Sequence, residues 1–104
     1  MKVYGIKACD TCRKAVKTLG VALHDVRETP LTRDELSGFF AEFGDRLLNT
    51  RSTTWRGLSD EEKAKAPIDL MLAYPTLMKR PVIDVDGTLY LGWAKDVQAA
   101  LSGE

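Results

Sequence analysis

Apolar positions along this chain follow two rhythms in turn. Val3 to Ile6 is short, β-prone and followed by Lys7-Ala8-Cys9-Asp10, the pattern of a strand that runs into a loop. From about Thr11 to Leu19 the spacing turns helical, with Ala15, Val16 and Leu19 on one face and Gly20 placed to close the helix as a left-handed cap. Val21 to Val26 reads as a second strand, interrupted by His24 and Asp25. Strand, helix and strand in such close succession predict a βαβ unit with a right-handed crossover.

The clearest helix follows. Thr32 and Glu35 have capping-box spacing, and Leu36, Phe39, Phe40 and Phe43 recur at i, i+3, i+4 and i+7, which predicts a core stripe that stops at Gly44. Leu47 to Arg56 has no clean period and reads as an ordered loop. Ser59 and Glu62 repeat the capping-box spacing before a short polar helix that ends near Pro67, and Ile68 to Tyr74 reads as one more short helix with Leu70, Met71 and Leu72 apolar. These middle helices break the βαβ rhythm and read as an insertion over about 32–78. Val82 to Val85 is then a strand, and Thr88 to Leu91 returns antiparallel. Asp86-Gly87 between them tolerates the positive φ angles of a type I′ turn. Ala94 to Leu101 closes the chain as a helix with Val97, Ala100 and Leu101 inward. The order βαβ, helical insertion, ββα predicts an α/β fold on a mixed four-stranded sheet, as one domain over 1–104. Trp55 and Trp93 read as half-buried packing side chains, and the phenylalanines of the second helix as core.

Composition narrows the class. A chain of 104 residues, 44% apolar and 29% charged, can form one core without metal or disulfide staples. Fifteen Lys and Arg balance fifteen Asp and Glu, with no stretch of one sign, which argues against direct contact with nucleic-acid phosphates. The segment Met1 to Lys7 lacks the apolar run of a signal peptide, and no window approaches the roughly 20 apolar residues that span a bilayer. A cytoplasmic location with reduced thiols and no membrane partner is expected.

The chemistry concentrates in Cys9-Asp10-Thr11-Cys12, which holds both cysteines of the chain. A bridge between residues this close adds little stability, so the pair reads as chemical rather than structural. The thiolate is the nucleophile, and amides at a helix N-terminus lower a cysteine pKa. Cys9 precedes the helix and is expected to be the more exposed nucleophile; Cys12, one turn on, is placed to resolve a mixed disulfide. Lys7, Arg13 and Lys14 add positive potential, with Lys7 a candidate anion contact, while Asp10 opposes it. Two cysteines and His24 fall short of the four ligands of a structural zinc site, so no metal is expected and His24 reads as structural. Pro81, after Arg80, is either an ordinary strand-start proline or a cis proline facing the active cysteine. Arg51 lies among Asn49, Thr50, Ser52 and Thr53, donors suited to a carboxylate or an oxyanion, although the residues alone favour a solvated surface charge.

Three blocks together resemble the ArsC/Spx family of thioredoxin-like proteins, and most of all its YffB branch, over nearly the full length. They are Tyr4-Gly5-Ile6-Lys7-Ala8-Cys9-Asp10-Thr11-Cys12-Arg13-Lys14-Ala15, Leu48-Asn49-Thr50-Arg51-Ser52-Thr53-Thr54-Trp55-Arg56, and Lys79-Arg80-Pro81. The resemblance implies a thioredoxin-like fold and an enzyme, a glutathione-dependent thiol-disulfide reductase with Cys9 as catalytic cysteine. It implies no tightly bound cofactor, glutathione as cosubstrate, an oxidised thiol or oxyanion as substrate, glutaredoxin as a possible protein partner, and a monomer. It also implies that Arg51 and Arg80 match two oxyanion-binding arginines of arsenate reductases, and that the bond before Pro81 is cis. Two departures follow from the same comparison. A third arginine of arsenate reductases falls where this chain reads Leu89-Tyr90-Leu91-Gly92-Trp93, a loss of one contact worth roughly 1.5–3 kcal/mol. Cys12 replaces a non-cysteine residue of those enzymes, but matches Spx-type regulators. The alternatives are therefore a glutaredoxin-linked arsenate reductase and an Spx-like redox-sensing regulator of RNA polymerase.

Overall fold

The structure, a computed structural model, describes residues 1–102. Its elements run β1 (Lys2–Gly5), α1 (Asp10–Leu19), β2 (Leu23–Asp25), α2 (Arg33–Phe43), α3 (Thr53–Arg56), α4 (Asp60–Lys63), α5 (Pro67–Ala73), β3 (Val82–Val85), β4 (Thr88–Leu91) and α6 (Lys95–Ser102). The four strands form one mixed sheet in the order β2-β1-β3-β4. β1 pairs parallel with β2 and antiparallel with β3, and β3 and β4 form a hairpin. By its internal contacts the chain divides into two units, Met1–Thr29 together with the segment from Arg80 onward, and Pro30–Lys79. Residues 103 and 104 of the expected domain lie outside the described residues.

The first unit contains the whole sheet. β1 and β3 are its inner strands, and Val3, Ile83 and Val97 are buried together on one face, surrounded by Val16, Leu19, Tyr90, Trp93 and Leu101. Burying such side chains is the main stabilising contribution, about 1.5–3 kcal/mol for each large aliphatic group. Register explains the selection: Val3 lies opposite Ile83, and Tyr4 opposite Val82 on the other face. Gly20 closes α1 in the left-handed region, its N–H bonded to Val16 O at 2.9 Å. The hairpin turn carries φ of 50° at Asp86 and 93° at Gly87, the two positive angles that a type I′ turn requires. β2 is shorter than expected, since only Leu23 to Asp25 pair with β1. In α6 Val97 and Leu101 face the core, but Ala100 is exposed. The buried line follows the i, i+4 spacing of Val97 and Leu101, and Ala100 falls to its outer side.

The second unit is the expected helical segment. Thr32 and Glu35 form the capping box in full, and Leu36 and Phe39 are buried. Phe40 and Phe43 are not core residues but half-buried, with the Arg46 guanidinium 5.9 Å from the Phe43 ring centroid. The hydrophobic stripe is wider than the line of contact that α2 makes, and these two rings lie on its flank. The stretch expected as a loop is more regular than its sequence suggests. A 3₁₀ turn, Gly44–Leu47, leads to a bridge between Leu48 and Met78, and Asn49 N–H reaches Leu77 O at 2.7 Å. Ser52 then caps α3 through Trp55 N–H. Pro67 begins α5 rather than ending α4; at the first helical position its missing N–H and fixed φ cost nothing. Tyr74 donates from its hydroxyl to Glu62 Oε2 at 2.6 Å and ties α5 to α4. Among the described residues no helix is long and apolar enough to cross a membrane.

One carboxylate orders the start of the loop between β1 and α1. Asp25, at the end of β2 and 8% exposed, accepts Lys7 N–H at 2.9 Å, Arg27 N–H at 2.8 Å and Glu28 N–H at 3.2 Å. The Lys7 amide is the main reason that its pKa lies below the usual carboxylate value. A carboxyl with a depressed pKa in the folded state stabilises that state above the unfolded pKa and loses the contribution as pH falls through the folded one. We therefore expect Asp25→Asn to cost on the order of 1 kcal/mol in urea unfolding at pH 7. The gap to wild type should close as pH is lowered below about 4. A difference between the two proteins that stays constant from pH 7 to pH 3 contradicts this reading.

Candidate functional site

The site forms where β1 gives way to α1. Ile6 O accepts Cys9 N–H at 3.0 Å, and the turn this closes delivers Cys9 to the N-cap position of α1, with φ −87° and ψ 116°. Arg13 N–H bonds back to Cys9 O at 3.1 Å, so the helix begins with its free amides around the Cys9 side chain. Cys9 is half-buried, whereas Cys12 is 0% exposed on the inner face of the first helical turn. No disulfide joins them; both are free thiols.

The two sulfurs titrate against each other. Burial alone pushes Cys9 up, but the Cys12 backbone N–H, the Cys12 thiol and the Arg80 guanidinium all donate toward its sulfur. These donors outweigh burial, and the Cys9 pKa lies below its ordinary value. The Cys9 side chain makes no N-cap hydrogen bond of normal geometry, so the amide contact is an electrostatic one with the helix end. Cys12 goes the other way. Burial is the largest cause, and together with the neighbouring Cys9 sulfur it pushes the Cys12 thiol up to about 12, against a favourable contact from the Ile6 backbone N–H. At neutral pH Cys12 is thus the proton holder and Cys9 the readier thiolate.

Arg80 comes to this pair from the segment that enters β3, the antiparallel neighbour of β1. Its peptide bond to Pro81 is cis, the isomer that the resemblance implies, and Pro81 is fully buried. Cys9, Cys12, Arg80 and Pro81 all belong to the first unit. Lys7 also lies there, but its ammonium is paired with the exposed Glu28 carboxylate at 2.9 Å. That pairing holds the Lys7 charge over Glu28. Arg13 is likewise engaged, with Asp10 one turn away.

Arg51 belongs to the second unit, exposed in the turn before α3, where its N–H bonds Asn49 Oδ1 at 3.1 Å. Ser52 Oγ donates to Asn49 O at 3.0 Å, so the polar residues around Arg51 spend much of their capacity shaping the turn itself. His24 is a structural residue of β2, with Nε2 3.0 Å from Thr29 O and its ring 4.9 Å from that of Tyr4. Trp93 packs on the core of the first unit, and Trp55 is half-buried with Lys63 Nζ 5.6 Å from its ring centroid. Among the described residues no three His, Cys, Asp or Glu side chains converge as a metal site.

Two contributors escaped the sequence reading. Asp25 was visible only as an interruption in a strand; an acid followed by a turn is the signal of a carboxylate that caps local amides. The Ile6 N–H at the Cys12 sulfur has no side-chain signature, since a backbone group carries none.

The chain matches the ArsC family over residues 4–101. Among solved structures it is similar to a YffB protein, with a TM-score of 0.84, 38% identity, and 95% of this chain and 96% of the other covered. An uncharacterized protein of Haemophilus influenzae is 40% identical, across 96% of this chain and 97% of its own length. The global transcriptional regulator Spx of Streptococcus pyogenes is 32% identical, across 91% of this chain and 80% of its own. The match spans the strand, the thiol pair, the helical segment and the cis proline alike, and by it the chain belongs to the ArsC family, on a thioredoxin-like fold.

Proposed function

We propose that this protein is a glutathione-dependent thiol-disulfide reductase with Cys9 as its nucleophile. The observation that carries the reading is the Cys9 sulfur itself: half-buried, at the start of α1, and supplied with donors by Cys12 and Arg80. A thiolate held this way is stabilised and still within reach of a substrate. Membership of the ArsC family and the likeness to a YffB protein support thiol chemistry at this position.

In the proposed cycle the Cys9 thiolate attacks the glutathione sulfur of a mixed disulfide. The new Cys9–glutathione S–S bond forms as the old S–S bond breaks, and the substrate leaves as a thiolate that takes a proton from water. A glutathione thiolate then attacks the adduct, releasing glutathione disulfide and restoring the Cys9 thiolate. The burial of Cys12 and its pKa of about 12 support a donor role in the resting enzyme, with glutathione as the resolving thiol. Arg80 stabilises the attacking and the departing Cys9 sulfur. Pro81, fully buried, follows Arg80 directly into β3, and Lys7 is assigned to an anionic group of the substrate.

Cys9→Ser should abolish turnover of a glutathione mixed disulfide, measured with glutathione as reductant; equal rates for the two proteins would sink the proposal. Site-resolved alkylation tests the electrostatics. The Cys9 rate should rise with pH through a midpoint below the ordinary cysteine value and level off above it. Arg80→Gln should move that midpoint upward by about one pH unit, since a hydrogen bond to the charged sulfur is lost. An unmoved midpoint would separate Arg80 from the thiolate.

Two other readings have support of their own. The thiols of Cys9 and Cys12 lie in hydrogen-bond contact, close enough for an intramolecular disulfide, and the Spx relative is named a transcriptional regulator. A redox-switched partner of RNA polymerase predicts capture of the polymerase that differs between oxidised and reduced protein. Arsenate reduction rests on the family and on the Arg80 guanidinium beside Cys9. It predicts arsenate-dependent turnover with glutathione and glutaredoxin, above the Cys9→Ser background.

A further inference from the structure

Gly5 is the last residue of β1, an inner strand, and pairs with Asp25 at the end of β2. Glycine in a strand is unfavourable, because it loses backbone entropy and packs no side chain. Gly5 is not among the residues with positive φ, so the backbone does not demand glycine there. The reason lies in space. A Cβ built on Gly5 would overlap the Cys12 sulfur outright, and would come within 3.1 Å of Cys12 Cβ and 3.3 Å of Leu23 Cδ1.

We propose that Gly5 is a positioning residue for the thiol pair: the bare Cα of Gly5 and the adjoining Ile6 N–H form a seat for the Cys12 sulfur, and that seat aims the Cys12 thiol at Cys9. The seat is built from the strand rather than from the helix that carries the cysteines. Cys12 cannot sink deeper, since it already rests on β1, and a side chain at position 5 would turn its sulfur away. The titratable and charged groups that face the Cys12 sulfur are Cys9 and Arg80, and neither is among the atoms that a Cβ at position 5 would meet. The overlapping atom is the free end of a side chain, so Gly5→Ala is met by rotation of Cys12 rather than by loss of the sheet. The inference rests on Cys9 being the reactive thiolate, as in the reductase reading. Its test reads Cys9 directly and needs no turnover, so failure of the substrate assignment leaves it standing.

The experiment is a cycle of Gly5→Ala and Cys12→Ala in the full chain, read as the pH midpoint of Cys9 alkylation with iodoacetamide, the modified site identified by mass. Gly5→Ala should raise the midpoint by about one pH unit and slow alkylation below the midpoint about tenfold. Cys12→Ala should do the same, because the donor is gone. The double variant should match Cys12→Ala alone. An unmoved midpoint in Gly5→Ala overturns the proposal. So does an equal shift by Gly5→Ala in the Cys12→Ala background, which would mean that glycine acts without Cys12. Should Gly5→Ala not fold, the contact requires that Gly5→Ala with Cys12→Gly, which removes the overlapping Cys12 sulfur and the tightly placed Cβ, fold again. Failure of that pair to fold overturns it as well.

Discussion

A single proton divides the two cysteines, and the first unit is arranged around which sulfur holds it. Cys12 is sealed between α1 and β1, where a charge would be costly, and it keeps its proton against solution conditions that would remove an ordinary thiol's. The proton is directed at Cys9, which also faces the open end of a helix and the Arg80 guanidinium. Burial of Cys9 works against ionisation, and only the sum of the donors reverses it. The difference in acidity between the two sulfurs therefore depends on how the β1–α1 junction places their donors.

That junction is fixed from three directions. β1 is an inner strand, paired on both sides, so its end cannot drift without breaking the ladder to β2 or to β3. Asp25 takes three amides at once and ties the segment leaving β1 to the end of β2. β3 is hydrogen-bonded to β1 and brings in Arg80 and the cis proline from a distant part of the sequence. The burial of Val3 against Ile83 thus serves the sulfur chemistry indirectly, because it registers the strand that carries Gly5 with the strand that follows Arg80.

Where a local rule had several residues behind it, the chain could be read without coordinates. The Thr32–Glu35 capping box, the Asp86-Gly87 turn and the Gly20 cap are each set by contacts within a few residues, and each forms as expected. Misreadings occur where burial decides. Phe40, Phe43 and Ala100 have the right spacing for a core, but a stripe gives the direction of an apolar face and not its width. The turn at Thr53–Arg56 rests on a single capping serine and has no periodicity to announce it. Pro67 was ambiguous because proline both follows helix ends and starts helices, and only the packing of α5 chooses between them.

By itself the sequence determined the order of the strands and of every helix but α3, the pair of cysteines at the head of a helix, and the candidacy of Cys9 as the outer one. It did so because strand, helix and cap propensities are local, and because Cys9, which precedes the helix, stays nearer its open end than Cys12 inside the first turn. What it did not contain is the difference in acidity between them. That difference comes from groups far apart in the chain: Arg80 beyond the helical segment, the backbone N–H of Ile6, and a glycine whose value is the volume it leaves empty. Electrostatics and exclusion act through space, and only the folded sheet brings these groups to the sulfur.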